Sequence, residues 1–164
     1  MELVARQAVG TGNADQQHPL NVYYEELDVN DRDFGIQGFV YKKILDAGVA
    51  TAIGSPVGST QASGGGIVTP DQSDSGAGGV FGGGIAQYVV AAGTTSFGWV
   101  QRYGISRTIV KTTGALAAGV FGRWSGDDTV AAITAGTDDA EGFCWNLVAA
   151  SGGSVAAGGT LLLK

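Results

Sequence analysis

The chain has 164 residues, a formal net charge of −6, and only 15% charged residues against 44% hydrophobic ones. That balance excludes wholesale disorder and sets the chain apart from nucleic-acid binders, which carry a basic patch to neutralise phosphates. Its 29 glycines and 3 prolines do not recur every third residue, so collagen is excluded too. Charged residues fall well below the roughly 25% of an ordinary soluble domain. A surface so poor in charge suits a protein partly covered by neighbours. The basic residues are scattered, with Arg102, Arg107 and Lys111 forming at most a short stripe. Cys144 is the only cysteine, so no intrachain disulfide can form.

Residues 1–35 read as an extended arm. The opening MELVARQAVGTGNADQQ shows no apolar signal segment, and no run approaches a membrane span, so folding in a reducing cytoplasm is expected. The arm holds an aromatic and acidic stretch, Tyr23-Tyr24-Glu25-Glu26-Leu27. Two readings stand side by side: a strap that orders on a partner, and a frayed terminus. Residues 36–57 read as a hairpin turning at Asp46-Ala47-Gly48, or as a short helix with Phe39, Val40, Ile44 and Leu45 on one side. Residues 58–79 are rich in glycine and serine and read as a loop dividing the first part of the chain from the last.

Residues 80–164 form the regular part, expected to be a small antiparallel β-barrel or a β-tulip or sandwich. Strands are predicted near 84–91, 95–103, 105–112, 118–124, 129–134, 142–149 and 160–163, with glycine-bearing breaks between them, one of them at Gly104. The stretch Phe97 to Ser125 organises the whole. Phe97, Trp99, Gln101 and Tyr103 alternate with Val100 and Arg102, and the following Ile105 to Lys111 is β-branched. No helical spacing competes there. The closing Thr160 to Lys164 is apolar on both faces and should be buried.

Chemistry is sparse. The only histidine, His18, lies in the polar arm beside Pro19 and reads as exposed, which is poor support for a nucleophile system. One cysteine and one histidine do not make a zinc site of the usual type. Asp127-Asp128 and Asp138-Asp139 with Glu141 offer hard oxygens for calcium but lack EF-hand spacing, so solvated turns are the stronger reading. Gly64-Gly65-Gly66 and Gly82-Gly83-Gly84 give no phosphate-loop pattern. Neither an enzyme nor a cofactor is therefore expected. The aromatics at alternating strand positions read as core or, less often, as interface anchors. The candidate interface set is Tyr23, Tyr24, Leu27, Trp99, Tyr103, Phe121, Trp124 and Leu162.

Three passages carry a family resemblance: Phe97-Gly98-Trp99-Val100-Gln101-Arg102-Tyr103-Gly104, then Thr113 to Gly119, then Gly142 to Val148 with the closing Thr160 to Leu163. They look like parts of the small β-barrel or β-tulip decoration (cement) proteins of tailed-bacteriophage heads. The resemblance covers Val80 to Lys164. Many such proteins place an acidic residue directly after the second turn glycine, where this chain has Val120. The resemblance implies a virion protein made in the host cytoplasm that binds the major capsid protein on the outer face of the head. It also implies self-association, often as a homotrimer, with no nucleic-acid or membrane partner. A head- or tail-fibre module that binds host glycans is the alternative.

Overall fold

A computed structural model describes residues 10–27, 36–45, 50–59, 67–70, 84–110, 117–124, 130–132, 144–146 and 155–162. Among them there is no helix. Ten strands are present: β1 (Tyr23–Leu27), β2 (Ile36–Leu45), β3 (Pro56–Ser59), β4 (Ile67–Thr69), β5 (Gly84–Ala86), β6 (Thr95–Val110), β7 (Phe121–Trp124), β8 (Val130–Ala132), β9 (Cys144–Asn146) and β10 (Val155–Leu162).

Five of them close on themselves. The order β2-β4-β3-β5-β6 returns to β2 through a long β2–β6 pairing from Gly38↔Tyr103 to Leu45↔Thr95. The result is a five-stranded barrel. Its pairings are antiparallel except β2 with β4, which is parallel, with Lys43 opposite Ile67. The expected antiparallel barrel is thus modified at one seam. Each barrel strand sends at least one side chain into the interior: Val40 and Ile44, Val68, Val57, Ala86, and Val100, joined by Tyr88 and Val90 just beyond β5. A barrel this small is filled by such side chains.

Residues 36–45 form one continuous strand, and among the described residues β2 pairs with β1, β4 and β6, not with β3, the next strand in the chain. Neither the predicted hairpin nor the helix is what forms. The residues at the expected turn, 46–49, lie outside the described ones. Strict alternation decides the outcome: Phe39 and Tyr41 join one cluster and Val40 and Ile44 another, as period-two geometry requires. The stretch 58–79, read as a loop, contributes β4, and the barrel takes strands from both sides of it.

The strand β6 runs through all sixteen residues from Thr95 to Val110. The sequence reading broke it at Gly104. In the structure Gly104 adopts φ +87 and stays paired, opposite Leu162 of β10. An added Cβ there would approach the Ile36 carbonyl oxygen at 2.5 Å. Glycine at this point lets the strand change course without ending. Before Gly104 the strand belongs to the barrel. After it, β6 pairs with β10 and opens a second sheet in the order β6-β10-β9-β7-β8. The closing segment predicted as 160–163 is the longer β10, held between β6 and β9. The strands predicted at 84–91 and 118–124 are present in shorter form, and β8 and β9 fall within those predicted at 129–134 and 142–149, whose remaining residues lie outside the described ones.

Candidate interaction surface

The described part of the arm lies on the barrel of its own chain. Asn13 and Phe97 exchange backbone hydrogen bonds of 2.9 and 2.8 Å, which fixes the arm to β6. Farther on, the Asn21 amide donates to the Tyr41 carbonyl at 2.8 Å and the Tyr41 amide donates to the Val22 carbonyl at 3.0 Å. From there β1 continues alongside β2, from Tyr23↔Val40 to Leu27↔Ile36. The arm therefore bridges the outside of the β2–β6 wall.

Under this bridge sits an aromatic layer. Phe39, Tyr41 and Trp99 are almost fully buried, with Leu20, Tyr24 and Phe97 packed around them. The Tyr41 and Trp99 rings meet edge to face at 5.2 Å. Tyr24 stacks on Phe39 at 6.3 Å and leans on Trp99 at 5.8 Å. These separations lie in the range where aromatic pairs attract beyond simple burial. His18 closes the layer, 5.1 Å from the Tyr41 ring and 5.5 Å from Trp99. It is half-buried, not the exposed arm residue its polar surroundings suggested. The Gln17 amide donates to the Tyr41 hydroxyl at 3.1 Å, so the buried phenol is satisfied by the arm itself. At the rim the Lys43 ammonium stands 5.7 Å from the centre of the Phe97 ring.

Two polar contacts tie the bridge down. Lys42 is buried, and its Nζ donates to Asn21 Oδ1 at 2.6 Å. Asn21 holds φ 66, a left-handed conformation that asparagine tolerates. Burial, with a smaller contribution from Arg102, pushes the Lys42 ammonium down to about 8. The second contact spans three strands. Register places Glu25, Gly38 and Tyr103 in one row across β1, β2 and β6. Gly38 has no side chain, so the Tyr103 ring lies over it, and the Tyr103 hydroxyl donates to Glu25 Oε1. A bulge beside Gly38 in the β2–β6 pairing sets this row.

Where β6 leaves the barrel, glutamine amides hold the bend. The side chains of Gln37 and Gln101 both donate to the Ile105 carbonyl at 3.0 Å, and Gln87 donates to Gln101 Oε1 at 3.2 Å. Inside the barrel, Tyr88 presents its ring to Gly98 and Gly12, where any Cβ would collide with it. Burial, then the nearby Tyr41, drives the Tyr88 phenol well above its ordinary range.

The predicted interface residues separate into different environments. Trp99 is core, 2% exposed beneath the arm, and Tyr24 is half-buried on it. Tyr103 is half-buried in the three-strand row. Tyr23 and Phe121 are exposed, at 54% and 44%. Leu27 pairs with Ile36, Trp124 with Val130, and Leu162 with Cys144 and Gly104; their side chains lie outside the described ones. The calcium candidates at 127–128, 138–139 and 141 also lie outside the described residues. Among the described residues, no three His, Cys, Asp or Glu side chains cluster as metal ligands, and no helix is long and apolar enough to cross a membrane.

Sequence reasoning missed Phe39, Tyr41 and His18 as a unit, and it missed the Glu25–Tyr103 pair. The alternation of Phe39 and Tyr41 with Val40 and Ile44 was a usable signal, since it announces a strand covered on both faces. Comparison with family models, curated proteins and solved structures finds no match to this chain.

Proposed function

We propose that the chain is a structural virion protein, a decoration protein that binds the major capsid protein on the outside of a tailed-phage head and joins neighbouring capsomers as a homotrimer. One observation carries the reading. The stretch Phe97–Gly104, the first of the three passages that carry the resemblance, is built into β6, the longest of the described strands and the one shared by the barrel and the second sheet. That passage is therefore part of the scaffold of the fold. Exposed apolar side chains at Val22, Tyr23, Ile36, Ile53, Val89 and Phe121 add surface for neighbours to cover. Many copies on a symmetric shell would reinforce weak single contacts.

Glycan binding draws less support. Trp99, the one of the three tryptophans whose side chain is described, lies beneath the arm and is not open to stack on a sugar. The test is to mix the purified chain with undecorated heads and image them by negative stain. Regular added density and greater resistance to heat are expected. Unchanged particles, or a chain that labels a glycan array and ignores heads, would defeat the reading.

A further inference from the structure

The strand β1 ends the sheet. It pairs with β2 along one edge, and among the described residues no strand pairs with its other edge. An open edge offers unpaired backbone groups to any extended chain. Its side chains then decide which chain fits. Tyr23 and Glu25 are exposed and, two residues apart, share one face of the strand. Two of the six exposed large hydrophobic residues named above, Val22 and Tyr23, stand at the start of this strand, while Ile36 lies on β2 opposite Leu27. One Glu25 carboxylate oxygen accepts from the Tyr103 hydroxyl across β2, which fixes the position of this exposed charge.

We infer that the open edge of β1 is a docking site for an extended, basic segment of a partner protein, with an apolar residue opposite Tyr23 and a Lys or Arg opposite Glu25. Charge complementarity selects this occupant. A second copy pairing antiparallel about the centre of β1 would set Glu25 against Glu25, and like charges directly opposite each other destabilise a strand pair. A basic segment instead sets an opposite charge against Glu25, which favours the pairing.

The inference rests on the virion reading only for where the partner is found. Its test therefore uses peptides and not heads. The full chain is titrated with a short labelled peptide that alternates Thr with Val, Lys and Val, and binding is followed by fluorescence anisotropy. Binding that weakens with added salt is expected. Glu25→Gln keeps an acceptor for Tyr103 and should weaken binding about two- to fivefold. An analogue with Glu in place of Lys should bind more weakly. An analogue N-methylated on alternate amides should not bind, because it keeps the side chains and loses the strand pairing.

Equal binding by the N-methylated analogue, equal binding by the Glu analogue, or indifference to Glu25→Gln would overturn the inference. So would a self-associated chain that Tyr23→Asp returns to monomer, since the occupant would then be a second copy. Heads decorated by a chain that ignores the peptide would overturn this inference alone. Peptide binding by a chain that ignores heads would overturn the virion reading alone.

Discussion

The wall formed by β2 and β6 has two sides, and each is sealed differently. The inner side faces Val57, Val68, Ala86 and Tyr88, and strands that close a barrel cover it. The outer side is aromatic, Phe39, Tyr41 and Trp99, and a single pass of the arm covers it. Trp99 and Val100 are adjacent in sequence and serve opposite layers. The inner layer opens only when the barrel opens. The outer layer can be uncovered by peeling one segment. The contrast shows that residues 10–27 are part of this fold, and not merely a tether waiting for a partner.

The sharpest way to break that contrast is to truncate these two neighbours in turn. Trp99→Ala should cost about 3–5 kcal/mol. It should also speed hydrogen exchange in residues 10–27 more than in β3–β5. Val100→Ala should cost about 1–3 kcal/mol and leave the arm no looser than the rest. Urea unfolding with exchange mass spectrometry checks both. Equal loosening of arm and barrel in the two variants would mean that the layers are one.

Titration sharpens the comparison, because one displaced group is tied to the arm and another is sealed in the barrel. Lys42, bonded to Asn21 of the arm, has a folded pKa of about 8 against 10.5 for an ordinary lysine. Between those values the unfolded chain holds the extra proton, so stability rises with pH across the window, and the full cost of the buried charge is present below it. Tyr88, inside the barrel, has a folded pKa raised above its ordinary 10, so its contribution is intact below pH 10 and is lost as pH climbs past it. Urea midpoints should rise from pH 8 towards 10 and then fall. Lys42→Met should flatten the rising limb and leave the falling one.

The smallest effect belongs to the link between arm and wall. Tyr103→Phe removes the hydroxyl that reaches Glu25 and should cost about 0.5–1 kcal/mol. Its ring still covers Gly38, so melting should shift slightly and arm exchange more visibly.

The β character of the chain was legible because β-branched and aromatic residues alternate through 95–110 with no helical spacing. Gly104 misled, since a glycine that ends a strand and a glycine that bends one look alike until φ and the partner strand are known. The parallel seam between β2 and β4 was invisible, because pairing between distant segments leaves no local mark. The candidate surface was half legible. Tyr23 and Tyr24 stood out as a pair, yet strand alternation sends Tyr23 to solvent and Tyr24 onto Phe39. Trp99 seemed available as an anchor only because nothing local to it shows that the arm, some eighty residues earlier, lies across it.

The continuity of β6 has a mechanical meaning. One covalent backbone runs the length of the barrel wall and on into the second sheet, turning at Gly104 without a gap. Force applied to either part travels to the other through peptide bonds, and it must shear the long ladders with β2 and β10 before it can separate them. A pull along β6 acts in the direction in which a hydrogen-bonded ribbon resists most.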